Sequence, residues 1–139
     1  MRRIALLFIA LCLSLPALAE RKQTFGDLDV HYITFNSSFL QPEIAAANGL
    51  VRSKTQGVVN ISVLKAGKAS SASVSGEVKD LVGRSQPLTF KQVNEGEAIY
   101  YLAQFTFIQR EMLRFTINVR AADGVAHSFN FNQEVFPDE

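Results

Sequence analysis

Apolar and polar residues alternate with a period of two along most of the chain. From Leu113 to Arg120, Leu113, Phe115, Ile117 and Val119 occupy one set of positions, and Arg114, Thr116, Asn118 and Arg120 the other. Successive strand side chains point to opposite faces, so this pattern predicts a half-buried strand. Asp123-Gly124 predicts a tight turn, since glycine accepts a positive φ without a Cβ clash. The next strand then sets Val125, Phe129, Phe131 and Val135 inward against Ser128, Asn130, Asn132 and Glu134, and the two strands form a predicted hairpin.

Upstream, Ile99, Tyr101, Ala103, Phe105 and Phe107 share one face, while Tyr100, Leu102, Gln104 and Thr106 share the other. Apolar residues on both faces predict a central strand. Asn94-Glu95-Gly96 turns it back onto a strand that holds Leu88 and Phe90 and starts just after Pro87, a residue tolerated at strand starts and edges because it lacks an N–H. Val74, Val78 and Val82 alternate with Ser73, Ser75, Glu77 and Lys79. Val59, Ile61 and Val63 alternate with Asn60 and Ser62, and Leu28 to Phe35 supplies the first strand. The prediction is all-β: a seven-stranded antiparallel immunoglobulin-like or fibronectin-III-like sandwich. A small closed barrel satisfies the same alternation.

The connection Asn36 to Gly57 interrupts the rhythm, being longer than connections usually are unless they are structured or functional. Pro42 suits the first position of a helix, Glu43 favours the positive end of the helix dipole, and Asn48-Gly49 suits its C-terminal end. So short a helix needs packing to hold it, and Phe39, Leu40 and Ile44 are the residues expected to dock it on the sandwich.

The N-terminus reads differently. Met1-Arg2-Arg3, an apolar run from Ile4 to Leu15 and Ala17-Leu18-Ala19 before Glu20 have the layout of a cleavable signal peptide over residues 1–19. The run is too short for a stable membrane span. Cleavage leaves residues 20–139, the size of one domain, and the expected location is the periplasm. Cys12, the sole cysteine, goes with the signal segment, so no disulfide is available; the Leu11 before it departs from the small residue that a lipidation motif requires. The mature chain then carries 12 basic and 13 acidic residues, a formal charge of −1, with no basic stripe of the kind nucleic acid needs.

His31-Tyr32, Phe35-Asn36-Ser37-Ser38-Phe39-Leu40, Pro42-Glu43, Gly49-Leu50, Arg52-Ser53-Lys54 and Asn60-Ile61-Ser62 together resemble the small exported proteins of Gram-negative bacteria catalogued as domain of unknown function 4426. The resemblance implies a periplasmic single-domain protein. It brings no reaction, cofactor or partner with it, and it draws attention to the long connection.

Candidate chemistry is sparse. Nucleophilic hydrolysis needs a Ser or Cys beside a His that an acid orients. The chain has two histidines, His31 and His127, and no Gly-x-Ser-x-Gly elbow. Asp29 and His31 share a strand face and form the one weak candidate for hydrolase or lyase chemistry. Two distant histidines do not make a zinc site, Asp27 and Asp29 do not make a calcium loop, and Glu95 and Glu97 flank a turn glycine as solvated hairpin residues do, so no metal or cofactor is expected.

The leading expectation is a non-catalytic module that binds a periplasmic or envelope protein through the long connection, with Arg52 and Lys54 as polar contacts, Phe39 and Leu40 as apolar ones and His31 nearby. A small-ligand binder with a pocket lined by Tyr32, Tyr100 and Phe105 is the alternative. Phe39, Phe107 and Phe136 fall near element ends, where an exposed cluster would mark a contact surface.

Overall fold

A computed structural model describes residues 21–137; the signal segment expected over residues 1–19 lies outside the described residues. The described chain contains ten strands, β1 (Arg21–Phe25), β2 (Leu28–Asn36), β3 (Gln56–Lys65), β4 (Lys68–Ala69), β5 (Ala72–Lys79), β6 (Ser85–Leu88), β7 (Lys91–Glu95), β8 (Ala98–Thr106), β9 (Glu111–Ala121) and β10 (Ala126–Val135), and one short helix, α1 (Pro42–Ala47). All pairings are antiparallel. The larger sheet runs β1-β2-β3-β8-β7 with β4 beside β3, and the smaller runs β10-β9-β5-β6.

The strand count is ten rather than seven for physical reasons. β1 (RKQTF) is an edge strand, mostly exposed, and has no apolar alternation to betray it. The two-residue β4 is too short to show a period. The stretch around Leu88 and Phe90, expected as one strand, is two, because the chain leaves the smaller sheet after Leu88 and joins the larger at Lys91. Pro87 lies within β6, which pairs only with β5, so its missing N–H costs no ladder bond. The β9–β10 hairpin forms with Phe115 opposite Phe131 and Ile117 opposite Phe129. β8 lies between β3 and β7.

The two sheets face each other across one core. Phe115 stacks on Phe131 at 4.8 Å and meets Phe105 edge-on at 5.1 Å, and Tyr32 stacks on Phe131 at 4.5 Å, so rings from both sheets interlock. Gly57 makes room for this stack, because a Cβ there would run into the Phe105 ring. The open margin beside β1 is sealed by Arg21, whose guanidinium lies 5.1 Å from the Tyr32 ring and 4.9 Å from the Phe131 ring and donates to Gln133 Oε1 at 3.0 Å. Val82 and Val125, expected inward, lie exposed in turns outside the strands.

The 36–57 connection folds over the outer face of the larger sheet. Ala45, Val58 and Leu102 are buried yet belong to no part of the central core. They form a second, thin apolar layer between the connection and the sheet. Ala45 docks the helix, and Phe39 and Ile44, expected to do so, stand exposed; the small alanine permits the close approach that a larger side chain would block. Asn60, expected on a solvated polar face, is half-buried there, with Oδ1 out of reach of water and without a hydrogen-bond partner among the described residues.

Candidate functional site

The two ends of the sandwich differ. One is closed by tight turns at Gly26, Gly67, Gly96 and Gly124, each with positive φ. The other gathers the long 37–55 connection, the 80–84 and 107–110 loops and Phe136. There, side chains that should be inside are outside: Leu81 is 83% exposed, Val82 77%, Ile108 81%, Phe39 66% and Phe136 48%. Apolar exposure on this scale, gathered at one end beside a buried aromatic core, marks a contact surface.

The 80–84 turn and the 37–55 connection are each held by a set of hydrogen bonds. In the 80–84 turn, Asp80 Oδ1 accepts the N–H of Val82 at 3.1 Å and of Arg84 at 2.9 Å, Oδ2 accepts Arg84 Nε at 2.8 Å, and the Asp80 N–H donates to the Arg84 carbonyl at 3.0 Å. Desolvation pushes the Asp80 carboxyl up, but the hydrogen bonds and charge of Arg84 and the Val82 N–H outweigh it and hold its pKa below the ordinary 3.8. The turn therefore presents Leu81 and Val82 on a fixed frame.

The long connection is stapled in three places. Fully buried Ser37 donates its hydroxyl to the Ser53 carbonyl at 3.1 Å and accepts the Ser53 N–H at 2.9 Å. Arg52 donates to the Ser38 carbonyl at 3.0 Å. Gln104 imitates a strand partner for Val51, donating to its carbonyl at 2.7 Å and accepting its N–H at 3.0 Å. Asn48 Nδ2 donates to the Ile44 carbonyl at 2.9 Å, and Gly49, at φ 66°, ends the helix as its sequence indicates.

The sequence candidates divide accordingly. Phe39 lies at the exposed end, Leu40 is half-buried beneath it and Lys54 is exposed. Arg52, expected as a polar contact to a partner, has a structural task in holding Ser38. His31 is remote from this end: it sits in mid β2, between Lys22 and Ser62, and points away from the core. Asp29, its proposed orienter, accepts the Thr24 hydroxyl at 2.8 Å. His127 points the other way, between the sheets, and stacks on Phe25 at 4.4 Å. Phe107 is buried, so Phe39 and Phe136 alone of the three end-lying phenylalanines are exposed. Tyr32 and Phe105, expected to line a ligand pocket with Tyr100, are locked in the ring stack, and Tyr100 lies on the outer face of the sheet, so the three line no common space.

What the structure brings to Phe39 is a groove of about 340 Å³ lined by Thr34, Phe35, Phe105, Val135 and Phe136. Asn36 Nδ2 closes one end by donating to the Phe136 carbonyl at 2.8 Å. Arg110 lies 4.9 Å over the Phe136 ring and pairs with Glu134 at 3.3 Å, which joins this groove to a second one around Leu81, Val82 and Ile108. Sequence reasoning missed these last three residues; an apolar pair between Asp80 and Gly83 in a turn was the available signal.

A family described as a domain of unknown function (DUF4426) matches residues 22–138. No curated protein matches the chain. Among solved structures, a DUF4426 family protein from Pseudomonas aeruginosa PAO1 is 57% identical, with TM-score 0.81 over 86% of this chain and 97% of that one. FetP from uropathogenic E. coli strain F11, expressed in the periplasm of E. coli BL21(DE3), has TM-score 0.64 at 11% identity over 87% and 96% of the two chains. A copper-bound variant of FetP has TM-score 0.59 at 12% identity over 86% and 95%. At those identities FetP shares the fold.

Proposed function

The chain belongs to the DUF4426 family, and from that footing we propose that it is a non-catalytic, immunoglobulin-like interaction module of the periplasm, which holds an envelope protein with one end of its sandwich. The observation that carries this reading is the exposure of Phe39, Leu81, Val82, Ile108 and Phe136 on three loops and the segment after β10, all at the same end. Presenting Phe39, Leu81 and Val82 on hydrogen-bonded loops lowers the ordering cost of binding, and apolar anchors of this kind supply most of the energy of an interface. The expression of FetP in a periplasm supports the same compartment.

A variant of FetP is copper-bound. No three His, Cys, Asp or Glu side chains converge among the described residues, and His31 and His127 point to opposite sides of the larger sheet. What supports placing binding at the apolar end is its exposed anchors. The test is partner recovery from periplasm with Ile108→Asp and with Lys68→Asp, a control at the opposite end. The proposal expects Ile108→Asp to lose the partner while its circular dichroism and melting stay unchanged; equal recovery with both variants overturns it.

A further inference from the structure

β7 forms one margin of the larger sheet and β1 the other, four strand spacings or roughly 19 Å away across the sheet. β7 closes on β8 through the two-residue turn Gly96-Glu97, which makes Glu95 and Ala98 a hydrogen-bonded pair. The alternation of an antiparallel ladder then turns the main chains of Lys91, Val93 and Glu95 toward β8 and those of Gln92 and Asn94 away from the sheet. Val93 is half-buried and the other four residues of β7 are exposed. Lys91, Val93 and Glu95 share the outer face of the sheet, and neither Lys91 nor Glu95 has an ion-pair partner among the described residues.

The sequence of β7, KQVNE, complements itself when it is reversed. Laid antiparallel to a second copy about Val93, it sets Lys91 opposite Glu95, Gln92 opposite Asn94, and Val93 opposite Val93. We propose that β7 is the seam of a two-fold homodimer in this register. The main chain accepts it, because Gln92 and Asn94, the residues whose N–H and C=O groups face outward, fall opposite one another and form two hydrogen-bonded pairs about the dyad. The side chains accept it too. Lys91 of each copy meets Glu95 of the other on one face of the joined sheet, where directly opposed charges of unlike sign attract. Charges at an edge ordinarily deter strand pairing, and here they favour a strand with the reverse order of charge, which a second copy supplies. β1 offers no such match: centred on Gln23, RKQTF sets Arg21 against Phe25 and Lys22 against Thr24.

The antiparallel seam directs the two loop ends in opposite directions and covers neither, so this inference stands apart from the interaction-module reading and the failure of either leaves the other intact. The test is sedimentation of the protein purified from periplasm, with amide shifts followed over a dilution series. A seam of five residues is small, so weak association is expected, complete only toward about 1 mM protein. The Gln92 and Asn94 amides should shift with concentration, while Lys22 and Thr24 in β1 stay constant. Lys91→Glu and Glu95→Lys, whose folds are checked at the Phe115 and Ile117 amides, each turn two unlike-charge pairs into two like-charge pairs and should weaken self-association about tenfold or more. An equimolar mixture of the two variants restores both unlike pairs and should associate about as tightly as the parent. A monomer at 1 mM, unchanged association of either variant, a mixture that associates no better than its components, or concentration-dependent shifts at Lys22 and Thr24 in place of Gln92 and Asn94 overturns the proposal.

Discussion

Truncating Phe115 to Ala probes the core on which the exposed loops are mounted. The side chain is fully buried in the centre of β9, stacked nearly parallel on Phe131 at 4.8 Å and edge-on to Phe105 at 5.1 Å. Removing a buried Phe ring costs about 3 to 5 kcal/mol in lost transfer energy and cavity formation. Here the upper half of that range applies, because Phe131 is itself pinned between Phe115, Tyr32 and the Arg21 guanidinium and cannot collapse into the space. With a urea m-value of about 1.5 kcal/mol/M for a domain of this size, a loss of about 4 kcal/mol lowers the urea midpoint by about 2.5 M. Arg114→Ala and Asn118→Ala, exposed on the opposite face of the same strand, should change stability by about 0.5 kcal/mol or less. A midpoint shift for Phe115→Ala as small as theirs, at an unchanged m-value, would refute the ring stack as the centre of the core.

Three further outcomes follow from local geometry. Gly57→Ala drives a methyl group into the Phe105 ring and should destabilise by about 1 to 3 kcal/mol in the same urea assay. Ser37→Ala leaves the half-buried Ser53 N–H and carbonyl without their partner, at a cost of about 1 to 3 kcal/mol, and should speed amide exchange in the 37–55 connection while the β9–β10 hairpin keeps its protection. The Asp80 carboxyl has a depressed folded pKa, so the stabilisation it gives the 80–84 turn is present above the unfolded pKa and is lost as pH falls through the folded value; Val82 and Arg84 amide shifts should stay constant from neutrality to pH 5 and move only below about 3.8.

The fold was legible in the sequence wherever one face of a strand is buried and the other solvated. β9 and β10 meet that condition, and their alternation, turn and pairing follow directly. α1 was legible for a different reason, since Pro42 and Asn48-Gly49 act locally. What stayed hidden depends on tertiary context. β1 is polar because it is an edge, β6 and β7 look continuous because the chain changes sheets without a break in apolar character, and Asn60 reads as solvated because nothing local reveals the connection folding over it. The candidate surface was half legible. Phe39 and Phe136 could be suspected from their positions at element ends, whereas Val82 continues the period of Val74 and Val78 and so looks like core until Asp80 is seen to end the strand.

The central claim is that the loop end of the sandwich is the surface that meets a partner. Photo-crosslinking side chains placed singly in living cells at Ile108 and Phe39, and at Lys68 and Glu97 at the opposite end, test it most directly. The account predicts one discrete crosslinked envelope protein from Ile108 and Phe39 and none from Lys68 and Glu97; the same product at equal yield from both ends, or from the turn end alone, contradicts it.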